Sequence, residues 1–116
     1  MAGAVKKTTG LTGLYVSSNP QYTLTTLYTK IIATLEKMPV TAAYRKHTEK
    51  LVNERMEVVK STSDAGHIES KINGGQVEEL IVQAENELVL ARRMLQWKPW
   101  EPLVAPPPQN QWKWPL

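Results

Sequence analysis

The densest carboxylates of this chain are Glu78-Glu79 and the pair Glu85 and Glu87. General acid/base chemistry needs two such groups converging on one reacting atom. On a helix, residues one or two apart point in different directions, so these four read as solvated surface charge rather than a catalytic pair. His47 and His67 stand twenty positions apart, whereas a helical zinc pair needs a spacing of three or four, and no acidic cluster completes a site around either. Gly74-Gly75-Gln76 before a helix offers backbone amides to a phosphate in principle. Without a preceding strand, a GxGxxG pattern or a Lys-Ser/Thr pair, it reads as a linker between helices. Serine and threonine are plentiful, but no GxSxG elbow is present and nothing ties either histidine to a nucleophile. With no cysteine in the chain, thiol nucleophiles, disulfides and thiolate metal sites are excluded. The residues nominate no catalytic group, no metal site and no cofactor.

The aromatic residues are more informative. All four tryptophans, Trp97, Trp100, Trp112 and Trp114, fall in the last twenty positions, among six of the eight prolines and only three charged residues. Proline removes backbone donors and holds the chain extended, so this segment has no hydrogen-bond ladder of its own. Each indole buries roughly 150 to 250 Å² when covered, and an ordinary stable interface needs about 800 Å² per partner. Positions 98–116 are therefore proportioned as an extended docking tail. Its target is either its own domain or a neighbouring protein.

The elements that must carry this tail are helical. After an irregular arm over 1–19, Asn19-Pro20 forms a good helix start, since Asn caps free amides and Pro is tolerated at the first position. Leu24, Leu27, Tyr28, Ile31, Leu35 and Met38 follow at steps of three and four until Pro39, which predicts a helix over 20–38. Thr41 is the expected cap of a second helix over 42–61. Its stripe of Tyr44, Thr48, Leu51, Val52, Arg55, Val58 and Val59 is interrupted by polar residues. A candidate short helix spans 67–73 around Ile68 and Ile72. From Gln76 the pattern is strongest, with Val77, Leu80, Ile81, Ala84, Leu88, Ala91 and Leu95 in heptad-like steps, predicting a helix over 76–97. The two glycines before it supply no side-chain cap.

The expected fold is all-α: a small antiparallel three-helix bundle over 20–97, with the irregular arm before it and the Trp/Pro-rich tail after it. About eighty residues is near the lower limit for an independent core. Leu90, Met94 and Trp97 form a second ridge on the last helix that runs into the tail. The candidate partner-binding residues are thus Leu90, Met94, Trp97, Trp100, Trp112 and Trp114, with two readings of the ridge: covered by the tail folding back, or continuous with it as one docking face.

Net charge is +3 and the isoelectric point is near 9.2. The basic residues of the second helix alternate with Glu49, Glu54 and Glu57, a solvated face rather than a nucleic-acid patch. No apolar run approaches the ~20 residues that span a bilayer. The first acid is Glu36, so residues 1–35 carry Lys6, Lys7 and Lys30 unopposed. That composition is partway to a mitochondrial presequence, though it lacks arginine and a clear amphipathic helix.

The blocks KKTTGLTGL (Lys6 to Leu14), LYTKI (Leu27 to Ile31), AAYRKHTE (Ala42 to Glu49), GGQVEELIVQAENELVLARRM (Gly74 to Met94), WKPWEPL (Trp97 to Leu103) and QWKWP (Gln111 to Pro115) closely resemble the mitochondrial NADH dehydrogenase (ubiquinone) alpha subcomplex subunit 5 family. Residues 15–26, 61–72 and 104–110 carry no matching block. The resemblance implies a helical accessory subunit of respiratory complex I, without cofactor or catalytic residue, peripheral to the inner membrane on its matrix-facing arm. It implies two partners: a core subunit of the ubiquinone-reducing module, and the nucleoside-kinase-like accessory subunit of the membrane arm. It also implies that the acid-free N-terminus is an import signal kept after loss of Met1. A free-standing helical adaptor or assembly factor is the alternative. A small hydrolase is disfavoured by the missing constellation.

Overall fold

The computed structural model describes residues 7–62 and 64–115; the basic Lys6 and the expected loss of Met1 lie outside them. The described residues form four helices and no strand: α1 (Pro20–Leu35), α2 (Ala43–Ser61), α3 (Ala65–Ile72) and α4 (Val77–Trp97).

Helix α1 begins as its sequence demands, with Asn19 Oδ1 accepting from the Tyr22 amide at 3.3 Å and Pro20 in the first turn. Leu24, Tyr28, Ile31 and Leu35 are buried along one face. The helix stops at Leu35, three residues short of the predicted end. The Lys37 and Met38 amides reach back only three residues, to Thr34 and Leu35 carbonyls, and tighten the exit. Met38 precedes Pro39, whose ring disfavours the α conformation of the residue before it. Met38 is nonetheless buried, and Arg45 Nη1 of α2 donates to its carbonyl at 2.6 Å.

The N-cap of α2 is Ala42, with no side-chain bond, rather than Thr41. Ala42 is buried, and its amide closes a turn onto the Pro39 carbonyl at 3.0 Å, so the tight corner sets the helix start. Val52 and Val59 are the fully buried residues of this weak stripe, and Leu51 faces out. The short helix starts earlier than predicted because Asp64 caps it, accepting from the Gly66 amide at 3.3 Å. Asn73 ends it in the left-handed region at φ 56°.

The two glycines before α4 supply no side-chain cap; the Gln76 amide is satisfied instead by Glu79 Oε2, to which it donates at 2.8 Å. Glu78, expected on the surface, is buried and accepts from the Ser17 amide at 3.2 Å. Gln76 Nε2 donates in turn to the Thr9 carbonyl at 2.7 Å, and Thr9 Oγ1 donates to the Leu14 carbonyl at 2.7 Å. The arm from Thr9 to Ser17 is therefore irregular but tied to the first turn of α4.

Helix α1 is central. It packs most extensively on α4 and next on α2, while α3 bridges the ends of α2 and α4. Gln21 Nε2 donates to the Val59 carbonyl at 3.0 Å, which sets the start of α1 beside the end of α2 and makes these helices antiparallel. The Ser17–Glu78 bond sets the entry of α1 beside the start of α4. The core is Leu24, Tyr28, Ile31 and Leu35 of α1 against Val77, Leu80, Ile81, Ala84 and Leu88 of α4, closed by Val52, Val59 and Ile68.

Candidate docking surface

The chain leaves α4 by a sharp reversal. Lys98 takes a left-handed conformation at φ 54° and its amide closes onto the Met94 carbonyl at 2.9 Å, while the Glu101 amide returns to the Lys98 carbonyl at 3.1 Å. This turn carries Trp100 back against the core, where it lines a hollow with Met94, Pro99, Tyr44 and Ala42. Met94 and Trp100, two of the nominated docking residues, thus lie on the chain's own helices.

The others do not. Trp97 is 62% exposed, Trp112 89% and Trp114 86%, and every described residue from Glu101 onward is exposed, including Leu103 and Val104. The radius of gyration is 18.4 Å, against about 13 Å for a compact domain of about 100 residues. The proposed ridge therefore divides: Leu90 and Trp97 face solvent, and Met94 turns inward to meet Trp100. Val82 and Val89, seven apart on α4 and both exposed, extend the outward face. Their seven-residue spacing places them together on the helix.

Between α2 and α4 two polar pairs span the gap left over α1. Arg55 Nη1 donates to Gln83 Oε1 at 3.1 Å, and the Tyr44 hydroxyl donates to Glu87. Burial, then the hydrogen bond to Glu87, push the Tyr44 hydroxyl well above its usual range. Burial also raises Tyr28, with the nearby Arg55 charge acting against it. His47 and His67 are both exposed and on different helices; the His67 Nδ1 contact is to Asp64, the cap of its own helix, at 3.3 Å. Among the described residues no helix is long and apolar enough to cross a membrane.

With only helices among its described residues, one tryptophan partly buried and three in solvent, this is, by fold and surface, a small helical protein with exposed apolar residues. The family described as ETC complex I subunit conserved region matches residues 13–79. The chain belongs to the NADH dehydrogenase (ubiquinone) 1 alpha subcomplex subunit 5 family, accessory subunits of complex I of the electron transport chain. It is 60% identical over 116 residues to that subunit from Rattus norvegicus and 57% to that from Bos taurus, with 100% of both chains covered in each case. A probable subunit 5 from Caenorhabditis elegans is 48% identical over 111 residues, which are 96% of this chain and 74% of the worm protein. The family match ends in the first turn of α4, whereas the mammalian likeness continues through the tryptophan tail.

Proposed function

We propose that this chain is a non-catalytic subunit of mitochondrial NADH:ubiquinone oxidoreductase that stabilises the matrix-facing peripheral arm during and after assembly. It sits at the inner membrane without crossing it. In this reading a small helical body over 20–97, built around α1, α2 and α4, presents the tail over 98–116. Leu90, Trp97, Trp112 and Trp114 contact partner subunits, while Met94 and Trp100 fix the direction in which the tail leaves. The partners are a core subunit of the ubiquinone-reducing module and the nucleoside-kinase-like accessory subunit of the membrane arm. No cofactor is involved.

The observation that carries this reading is the exposure of Trp97, Trp112 and Trp114 in a member of a complex I subunit family. Three indoles at roughly 150 to 250 Å² each supply most of the about 800 Å² that one side of a stable interface buries. Native electrophoresis of mitochondrial membranes tests it. A subunit migrates with NADH-oxidising activity, whereas an adaptor or assembly factor runs mainly outside the large complex, and that result would reject the proposal.

A further inference from the structure

Among the described residues three other than glycine hold a positive φ, and two of them have a plain use: Asn73 and Lys98 close α3 and α4. Asn110, at φ 66°, closes no helix. It lies in the tail, at the third position of a reverse turn in which the Gln111 amide donates to the Pro108 carbonyl at 3.2 Å. A type II turn needs positive φ at that position and takes Gly or Asn there. Asn110 also opens a second turn, its carbonyl accepting from the Lys113 amide at 3.1 Å. Trp112 lies within this second turn and Trp114 directly follows it. Ahead of both turns stand Pro106, Pro107 and Pro108, whose rings hold φ at about −65° and make a short polyproline rod without backbone donors.

Every residue of this segment is exposed, so the helical body does not impose the turns and gains no packing from them. Left-handed backbone outside glycine persists where something uses it, and here neither a helix end nor a core contact does. A segment already in its bound shape loses less freedom on docking. We propose that residues 106–114 dock as one preformed unit, rod and double turn together, in an apolar cleft on a neighbouring polypeptide of the complex. The cleft reads side chains rather than a backbone ladder. Alternate amides of an added strand must face the sheet, and among three consecutive prolines at least one would face it with no donor. The cleft takes the indoles of Trp112 and Trp114 and offers acceptors to their ring N–H groups, which can only donate. Lys113, the single charged side chain from 102 to 115, stays at the rim with its ammonium in water. Asn110 is a positioning residue: it aims the indoles without needing a contact of its own. The proposal rests on the reading of the tail as a contact between subunits, and adds the shape in which it is received.

The test co-expresses the wild-type chain with a tagged full-length variant at equal levels and measures their ratio in isolated complex I, relative to tagged wild type. Asn110→Val places a β-branched residue where the left-handed region disfavours it, and should be under-represented by roughly fivefold to thirtyfold. Asn110→Gly keeps the turn and should stay within about threefold of wild type. Replacing the three prolines by alanine should lower the ratio by about two- to fivefold for each, whereas strand pairing would gain from the restored amides. The melting temperature of the free full-length chain should not change in any of these variants. Equal losses in Asn110→Val and Asn110→Gly would mean that the amide side chain is itself bound, and no loss in either would mean a surface that rewards apolar area alone, such as lipid. A lower melting temperature would tie the turns to the chain's own fold. Each of these results overturns the proposal. Exclusion of the Trp112→Ala/Trp114→Ala variant alongside normal incorporation of Asn110→Val would leave tail docking standing without the preformed turns, while a wild-type chain found only outside the complex would remove both.

Discussion

Replacing Trp100 and replacing the pair Trp112 and Trp114 should have opposite effects. Trp100 packs on Met94 and Tyr44 and is partly buried. A fully buried Trp→Ala change costs about 3 to 5 kcal/mol, so Trp100→Ala should cost about 2 kcal/mol. At about 4 to 8 °C per kcal/mol for a domain of this size, that lowers the melting temperature of the free chain by about 8 to 16 °C. Trp112 and Trp114 are nearly as exposed as in an unfolded chain, and surface changes of that kind stay within about 0.5 kcal/mol each. The Trp112→Ala/Trp114→Ala double variant, at no more than about 1 kcal/mol in all, should therefore melt within about 4 to 8 °C of the parent. Its effect appears on assembly, where an interface tryptophan contributes about 2 kcal/mol or more, roughly thirtyfold in affinity for each residue. The two are neighbours, so their costs need not add. Melts followed by circular dichroism at 222 nm, run beside native electrophoresis of mitochondria expressing each variant, give both readouts. Normal incorporation of the double variant, or a loss of melting temperature equal to that of Trp100→Ala, would refute the division of the tryptophans into inward and outward sets.

Further expectations concern the arm, the turn before α4 and the α2–α4 contact. Glu78→Ala removes the carboxylate that accepts the Ser17 amide and should cost about 1.5 to 3 kcal/mol, the value of a bond to a charged group; hydrogen exchange at Ser17 should accelerate, and unchanged protection there would show that the arm is held elsewhere. Gly75 has φ 96°, and a side chain there would run into the Glu79 carboxylate that caps α4. Gly75→Ala should therefore destabilise by more than about 1 kcal/mol in denaturant titration, where the same change at a compatible position stabilises. The pKa of Tyr44 is raised above 10.0 by burial and by its bond to Glu87. Its contribution is fully present below pH 10 and is lost as pH rises further, because the unfolded chain releases its proton first. Between pH 10 and 12 stability should fall with rising pH, and the fall should be shallower in Tyr44→Phe.

Much of this protein is decided by local chemistry. The 3.6-residue spacing of Leu24, Tyr28, Ile31 and Leu35, and of Val77, Leu80, Ile81, Ala84 and Leu88, makes α1 and α4 helical and names their buried faces, and Asn19-Pro20 starts α1 where the residues say it should. These features are legible because a helix satisfies its own backbone and its caps lie within a few residues. The clustering of tryptophan with proline likewise marks the tail as a segment without a hydrogen-bond ladder of its own.

Tertiary structure decided what depends on partners distant in the chain. Glu78 reads as a surface acid beside Glu79, and only the arrival of Ser17, sixty-one residues earlier, buries it. The helix end before Pro39 and the start of α2 at Ala42 follow from a corner that packing tightens. The four tryptophans look equivalent in sequence, yet the left-handed turn at Lys98 folds Trp100 onto Met94 and leaves Trp97, Trp112 and Trp114 outside. The spacing of α2 from α4, which leaves the gap over α1, has no local signature, because periodicity names the face a helix buries and not the distance at which a third helix stops.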